Sequence, residues 1–426
     1  MKKAFLSLYC AFVARYLISF ASLPFLARVL GPSGLGVLAI ATSLATAISI
    51  IVEYGFSISA LREISSAEAD DRSGILIGVT TVKLALFGLV GLVFGVLALF
   101  APSIFQFPAS LSLIVLLGGA QGFSLSWYFI GTGRATASAA LDVSAQLMWF
   151  IPVFFLVHST SDINTVLLCQ LVAQVIVLAV GHAMALGKLK RISIDWRKLL
   201  DHLKSGAPMF IFRAGGSVHA AAIALILGAM AGPAQVGFLN AADRFAGTII
   251  NAFSPATQAL MPYVYNQAAK GGPDTMYLVA RYILIVLLAV SIIFTLGTFF
   301  SAGILIHMFT GFQFTESVQV LQILSFIFPI IAINYALGLY LMLPLRLDVS
   351  FVAAVSLGQC GSLGFTYLLA PTYGAAGIAF IRVVTEAAVG MMFALVLYRK
   401  GHLKKLLAQA PINLGDSTLR RYFRLK

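Results

Sequence analysis

The chain reads as an all-α polytopic membrane protein, with about twelve transmembrane helices in two pseudo-symmetric six-helix bundles around a central cavity. Three observations predict this. Hydrophobic residues make up 60% of the 426 residues and charged residues only 10%, whereas a soluble domain carries about 25% charged residues. Apolar stretches of about 20 residues, each able to cross a hydrocarbon core of about 30 Å, recur from end to end. The basic residues between these stretches fall almost entirely on alternate loops, as the positive-inside rule requires.

The stretches lie at about 5–27, 35–56, 76–100, 110–130, 137–157, 163–187, 207–231, 236–262, 277–300, 317–342, 348–369 and 374–398. Six of the 28 Lys and Arg fall inside them. With a cytoplasmic N-terminus, 21 of the other 22 lie on inward segments, and Arg28 alone lies outward. One missed or invented helix would scramble that alternation, so both ends are expected on the cytoplasmic side of a bacterial inner membrane. The net charge of +13 follows from the same topology, with the basic segments resting on anionic inner-leaflet lipids. No aromatic-interleaved basic domain lies outside the spans, so a nucleic acid partner is not expected.

The first half covers 1–187. Met1-Lys2-Lys3 before an apolar run resembles a signal peptide, but Arg15 interrupts the run and the stretch continues to Leu26, which fits an uncleaved first helix. Gly31-Pro32-Ser33-Gly34-Leu35-Gly36-Val37-Leu38 follows span one, and Gly232-Pro233-Ala234-Gln235-Val236-Gly237-Phe238-Leu239 follows span seven. The offset is 201 residues, and Ala41 and Ala242 match further on. Pro and the first Gly suit a tight outward turn, and the later Gly lets the next helix start close to a neighbour. A repeat with an even number of spans is parallel, about an axis along the membrane normal. Residues 188–206 form the basic cytoplasmic linker, where Asp195-Trp196-Arg197-Lys198 suggests a separate amphipathic interfacial helix. The second bundle covers 207–398, and 399–426 is a basic cytoplasmic tail too short to fold alone. The longest outward loop is expected at about 301–316. Cys10, Cys169 and Cys360 lie within spans and lack metal or redox spacing, so no metal site is expected.

The chemistry lies in the six intramembrane cations Arg15, Lys83, Arg213, Arg244, Arg281 and Arg382. Each would cost about 2.5–3.5 kcal/mol facing lipid at mid-helix, on the order of 15–20 kcal/mol together. Lys83 and Arg281 lie near the cytoplasmic side and read as snorkelling anchors. Arg15 and Arg213 occupy the first span of each half and Arg244 the eighth. With Arg382 they make a cationic cavity, because a planar guanidinium grips phosphate or carboxylate with two parallel hydrogen bonds. The alternative for each is snorkelling or pairing with a buried acid. Arg382 and Glu386 are i and i+4 in span twelve. They are read either as an internal ion pair or as a protonatable carboxylate held by an arginine. Asp243 is a neighbour of Arg244 or a helix–helix partner, and Glu53 with Arg62 is a candidate inner gate. Gln121, Gln146, Gln170 and Gln174 would line a cavity suited to sugar hydroxyls or simply hold helices together.

Ala27-Arg28-Val29-Leu30-Gly31-Pro32 and Glu53-Tyr54-Gly55-Phe56-Ser57-Ile58-Ser59-Ala60-Leu61-Arg62-Glu63-Ile64 resemble the N-terminal signature of Wzx-type O-antigen and polysaccharide flippases. These belong to the multidrug/oligosaccharidyl-lipid/polysaccharide exporter superfamily. Pro371-Thr372-Tyr373-Gly374-Ala375-Ala376-Gly377-Ile378-Ala379 is similar to the same family. The resemblance implies transfer of a polyprenyl-pyrophosphate-linked oligosaccharide, an O-antigen or exopolysaccharide repeat unit, from the cytoplasmic to the periplasmic leaflet. It further implies alternating access between the halves, coupling to protons or sodium, no bound cofactor, and polysaccharide polymerase and chain-length proteins as partners. Competing readings are a peptidoglycan-precursor flippase, a multidrug antiporter, and a membrane-embedded polymerase or ligase. A cation exporter should present mainly carboxylates, and here arginine dominates. A polymerase or ligase is expected to need a sizeable outward loop for catalytic residues.

Overall fold

The computed structural model describes residues 2–68, 71–100, 110–186, 196–270 and 272–408. Side chains are described for these except at 2–17, 19, 97–98, 100, 186, 196–202, 204–205, 208–209, 211–213, 252–270 and 272–275. The described residues form helices and turns, with no strand among them. In order these are α1 (Lys2–Glu53), α2 (Ser59–Ser66), α3 (Arg72–Phe100), α4 (Leu111–Gly122), α5 (Ser126–Gly131), α6 (Ala135–Leu156), α7 (Ile163–Leu186), α8 (Trp196–Ala231), α9 (Pro233–Lys270), α10 (Gly272–Thr310), α11 (Thr315–Ser325), α12 (Ile327–Asn334), α13 (Asp348–Arg399) and α14 (His402–Ala408). A 3-10 turn, Phe312–Phe314, precedes α11, and a π-helical segment, Tyr335–Met342, follows α12.

Among the described residues, nine helical runs are long and apolar enough to cross a membrane. Two of them need dividing. The 52 residues of α1 or α13 would make a straight rod of roughly 78 Å at 1.5 Å per residue, far beyond a core of about 30 Å. Each is broken at a glycine in the left-handed region, Gly31 (φ 67°) in α1 and Gly374 (φ 52°) in α13. A side chain at such a φ would crowd the carbonyl, so glycine is the residue that turns the chain there. Dividing α1 and α13 at these points gives eleven such runs among the described residues, and the 38-residue α9, which is outside that set and carries Asp243-Arg244 in its third turn, would be the twelfth.

The boundaries differ from the sequence reading in three places. Helix α10 runs on to Thr310, so the outward loop expected at 301–316 shrinks to Gly311 and the 3-10 turn. Ser301–Thr310 is almost wholly apolar and contains no proline, so nothing there stops the helix. The fourth crossing is interrupted between Gly122 and Ser126. The helix of the seventh span, expected from about 207, begins at Trp196 within the linker, in the continuous 36-residue α8.

The chain divides into two compact units. The first comprises Met1–Ala241, Ile304–Ser317 and Thr366–Ala375. In it α1 packs on α4, α6 and α8. Small residues let the helices approach: a Cβ on Gly118 would lie 2.7 Å from Ile48 Cβ, and one on Gly122 would lie 2.6 Å from Val52 Cβ. Phe56, Ala60, Ile64, Val79, Trp127 and Phe129 belong to one buried cluster.

The second unit comprises Ala242–Gly303, Val318–Phe365 and Ala376–Lys426. Its core joins Tyr277, Ile283 and Leu287 of α10 to Tyr340 and Leu341 of the π-helical segment and to Phe393 and Leu397 of α13. Helix α14 packs on one end of this core. Leu406 is buried, Tyr277 Oη lies 2.6 Å from His402 Nδ1, and Arg281 donates to the Leu407 carbonyl at 3.2 Å. Arg281 is thus a tie to α14 rather than a plain snorkelling anchor.

The two copies of the sequence repeat meet within the first unit. A Cβ on Gly36 would fall 1.7 Å from the Pro233 carbonyl oxygen, and one on Gly237 would fall 2.0 Å from the Pro32 carbonyl oxygen. Both pairs are related by the 201-residue offset, so the contact is reciprocal. Gly31 and Gly232, the matched turn glycines, both have positive φ (67° and 88°).

Candidate functional site

In the second unit, side chains of α9 and α12 each bond to α13. Asp243 lies ten residues into α9 and Arg382 eight residues beyond the Gly374 break, so each stands about 12–15 Å along its helix from the preceding turn. Arg382 Nη1 donates to Asp243 Oδ1 as a salt bridge, and the two side chains are 38% and 37% exposed. Neither member is fully buried. A guanidinium carries five N–H donors, so one carboxylate oxygen leaves several for another oxyanion.

Glu386, one turn beyond Arg382, does not pair with it. It accepts from Asn334 Nδ2 at 2.8 Å through Oε2 and at 3.0 Å through its own carbonyl. The i,i+4 spacing makes such a pairing available, but each side chain finds a partner on another helix instead. Asn334 ends α12 where the π-helical segment begins, and single π turns inside helices occur often at functional sites. Its Oδ1 is buried without a hydrogen-bond partner among the described residues. Gly390 makes room for it, since a Cβ there would lie 2.5 Å from that oxygen. Arg244, adjacent to Asp243 on α9, is partly buried within the same unit.

The remaining predicted residues lie elsewhere. Arg15 is on the first pass of α1 and Arg213 is on α8; both side chains lie outside those described. Glu53 closes the inner end of α1 and accepts from the backbone N–H of Gly55 at 3.2 Å and from that of Ser57. Its carboxylate is engaged in holding this turn. Arg62 is exposed on the short helix α2.

Lys83 departs most from its reading as a snorkelling anchor. It is 2% exposed, and its Nζ donates to the carbonyls of Gly122 at 2.9 Å and Ser124 at 3.3 Å. The break in the fourth crossing frees those carbonyls from helical partners, and the lysine satisfies them. Beside this break, Ser124, Ser126, Ser138, Asp142 and Gln174 line a small polar cleft between α5, α6 and α7.

Sequence reasoning found Arg382, Asp243 and Glu386 but not their pairings, and it missed Asn334. One usable signal existed: Asp243 and Arg382 stand eleven and eight residues beyond Gly232 and Gly374, which places them at similar depth.

The fold is similar to those of a solved lipid II flippase and a solved transporter of the MOP superfamily. Lipid II flippase MurJ in its inward closed conformation matches with a TM-score of 0.64 at 12% identity, covering 95% of this chain and 90% of that one. The inward-facing conformation of a multidrug resistance MATE family transporter of that superfamily matches with a TM-score of 0.59 at 15% identity, covering 95% and 96%. The chain belongs to the polysaccharide biosynthesis protein family, whose model matches residues 1–266. Among its relatives is a protein of Escherichia coli (strain K12) named "Putative O-antigen transporter", 25% identical over 387 residues that cover 88% of this chain and 91% of that protein. A Shigella dysenteriae protein of the same name is 24% identical over 400 residues, covering 91% and 98%.

Proposed function

We propose that this membrane protein flips a polyprenyl-diphosphate-linked oligosaccharide, the repeat unit of an O-antigen or exopolysaccharide, from the cytoplasmic to the periplasmic leaflet of the bacterial inner membrane. The family and its O-antigen transporter relatives support the class of passenger. The observation that carries the mechanism is Arg382, a guanidinium within a membrane-length apolar helix, partly exposed and with donors to spare. Arg15 and Arg213, lower in their spans, take the diphosphate from the inner leaflet. Arg244 and Arg382 take it onward.

Alternating access between the bundles 1–187 and 207–398 moves the site. The outer ends gathered in the first unit support a closed outer face. Besides the Gly36–Gly237 contact, Arg28 donates to the Met308 carbonyl at 2.7 Å and Gln313 to that of Ala27 at 2.9 Å. Gln235 bridges Glu316 at 2.7 Å and the Ala375 N–H at 2.8 Å. Coupling to protons or sodium runs through Glu386, whose hydrogen bond to Asn334 sits at the π-helical segment. Both termini are cytoplasmic, and polysaccharide polymerase and chain-length proteins take the product.

A deletion strain tests the passenger. Its lipid extract should accumulate a polyprenyl-diphosphate oligosaccharide on the cytoplasmic leaflet while surface polysaccharide is lost. Normal surface polysaccharide with no accumulated intermediate would refute the assignment.

A further inference from the structure

We propose that Asp243 is a built-in counter-ion that occupies Arg382 in the empty transporter and is displaced by the anionic passenger. The inference rests on the reading of Arg382 as a contact for the diphosphate.

The two residues come from different helices, α9 and α13, and meet at similar depth. An unpaired guanidinium within an apolar span is costly, because it gives up hydration. A carboxylate partner offsets part of that cost. The other acid nearby on α13 does not compete for the role, since Glu386 is held by Asn334. Arg244 follows Asp243 in sequence and adds a second positive charge to the neighbourhood of an entering anion. Both members of the salt bridge are more than a third exposed, so neither is sealed inside the packed core.

A monovalent carboxylate holds one edge of the guanidinium. A diphosphate carries more charge and more acceptor oxygens, and can take the fork with two parallel bonds. Exchange of one anion for the other leaves the arginine neutralised in both states. The exchange also limits affinity: the spare donors let the diphosphate approach, but taking the edge that Asp243 holds requires displacing it, and Asp243 returns to help expel the passenger. A transport site needs binding firm enough to load and weak enough to release. The counter-ion supplies that balance.

The account makes opposite predictions for binding and for transport. The experiment uses the full chain in lipid nanodiscs, with inorganic pyrophosphate as probe and isothermal titration as readout. Asp243→Asn should tighten pyrophosphate binding by about fivefold or more, as expected for removing a close competing charge. Arg382→Gln should weaken binding, and Asp243→Asn combined with Arg382→Gln should lose the gain. In cells, Asp243→Asn should lower surface polysaccharide despite the tighter binding. Asp243→Glu, which keeps the charge, should return binding close to that of the natural protein. If the asparagine variant does not fold, Asp243→Ser provides the same neutral comparison at this partly exposed position.

Unchanged or weaker binding in Asp243→Asn or Asp243→Ser, with Arg382→Gln still impaired, would overturn the counter-ion while leaving the cationic site intact. Pyrophosphate binding indifferent to Arg382 would overturn both.

Discussion

Gly36 offers the sharpest structural perturbation. Its missing side chain leaves room for the Pro233 carbonyl, and a Cβ built there would lie 1.7 Å from that oxygen and 2.9 Å from Gly237 N. Ordinary contact needs about 3.5 Å, so Gly36→Ala must drive the two backbones apart by about 1.5 Å or more. The obstacle is backbone on both sides, and no rotamer change relieves it. Overpacking of this kind typically costs about 1–3 kcal/mol, equivalent to roughly 5–150-fold in an equilibrium. In a transporter that alternates between arrangements, the penalty falls on the one with closed outer ends. The assay is the labelling rate of Val236→Cys, a position 3% exposed beside the contact, by a membrane-impermeant maleimide applied from outside. Gly36→Ala should raise the rate several-fold or more, and Gly237→Ala should do the same because the contact is reciprocal. Equal labelling and equal thermal stability in all three backgrounds would refute the reasoning.

Two further predictions concern stability. Lys83→Met leaves the Gly122 and Ser124 carbonyls without their donor and should destabilise the protein by about 1–3 kcal/mol; a rise in Tm would contradict this. Burial, reinforced by Lys405 and Lys400, holds the His402 imidazole below its ordinary pKa of 6.5. A depressed folded-state pKa means the unfolded or undocked form binds the proton more readily, so the contribution is present above pH 6.5 and is lost as pH falls. Helix α14 should therefore exchange its amide hydrogens faster, corrected for intrinsic rates, at pH 5.5 than at pH 7.5, and His402→Phe should remove that difference; equal protection at both pH values in the natural protein would contradict the docking role.

Much of the fold was legible because hydrophobicity and the positive-inside rule each constrain it independently. Twelve apolar runs and the sidedness of the cations agree, and the glycines that break α1 and α13 follow directly from the chain. Helix ends were less legible. Ser301–Thr310 was read as loop from its place after a full-length span, yet its apolar sequence continues the helix. The interruption of α4 and α5 needs Lys83 to satisfy freed carbonyls, and that partner lies about 40 residues away in sequence. The repeat was visible as a pattern, but periodicity cannot tell that its two copies touch. The same limit applies to the charges. Helical spacing placed Arg382 and Glu386 on one face, whereas the partners Asp243 and Asn334 come from other helices.

The central claim is that arginines carry the anionic passenger, and the most direct measurement is complementation of the deletion strain. Arg15→Ala, Arg213→Ala, Arg244→Ala and Arg382→Ala would be expressed singly, at equal membrane levels, with the lipid-linked oligosaccharide quantified on the cytoplasmic leaflet. The account predicts accumulation of that lipid and about a tenfold or greater loss of surface polysaccharide, consistent with losing a charge-assisted contact. Full surface polysaccharide in all four variants, and in the Arg15→Ala/Arg213→Ala double variant, would contradict it.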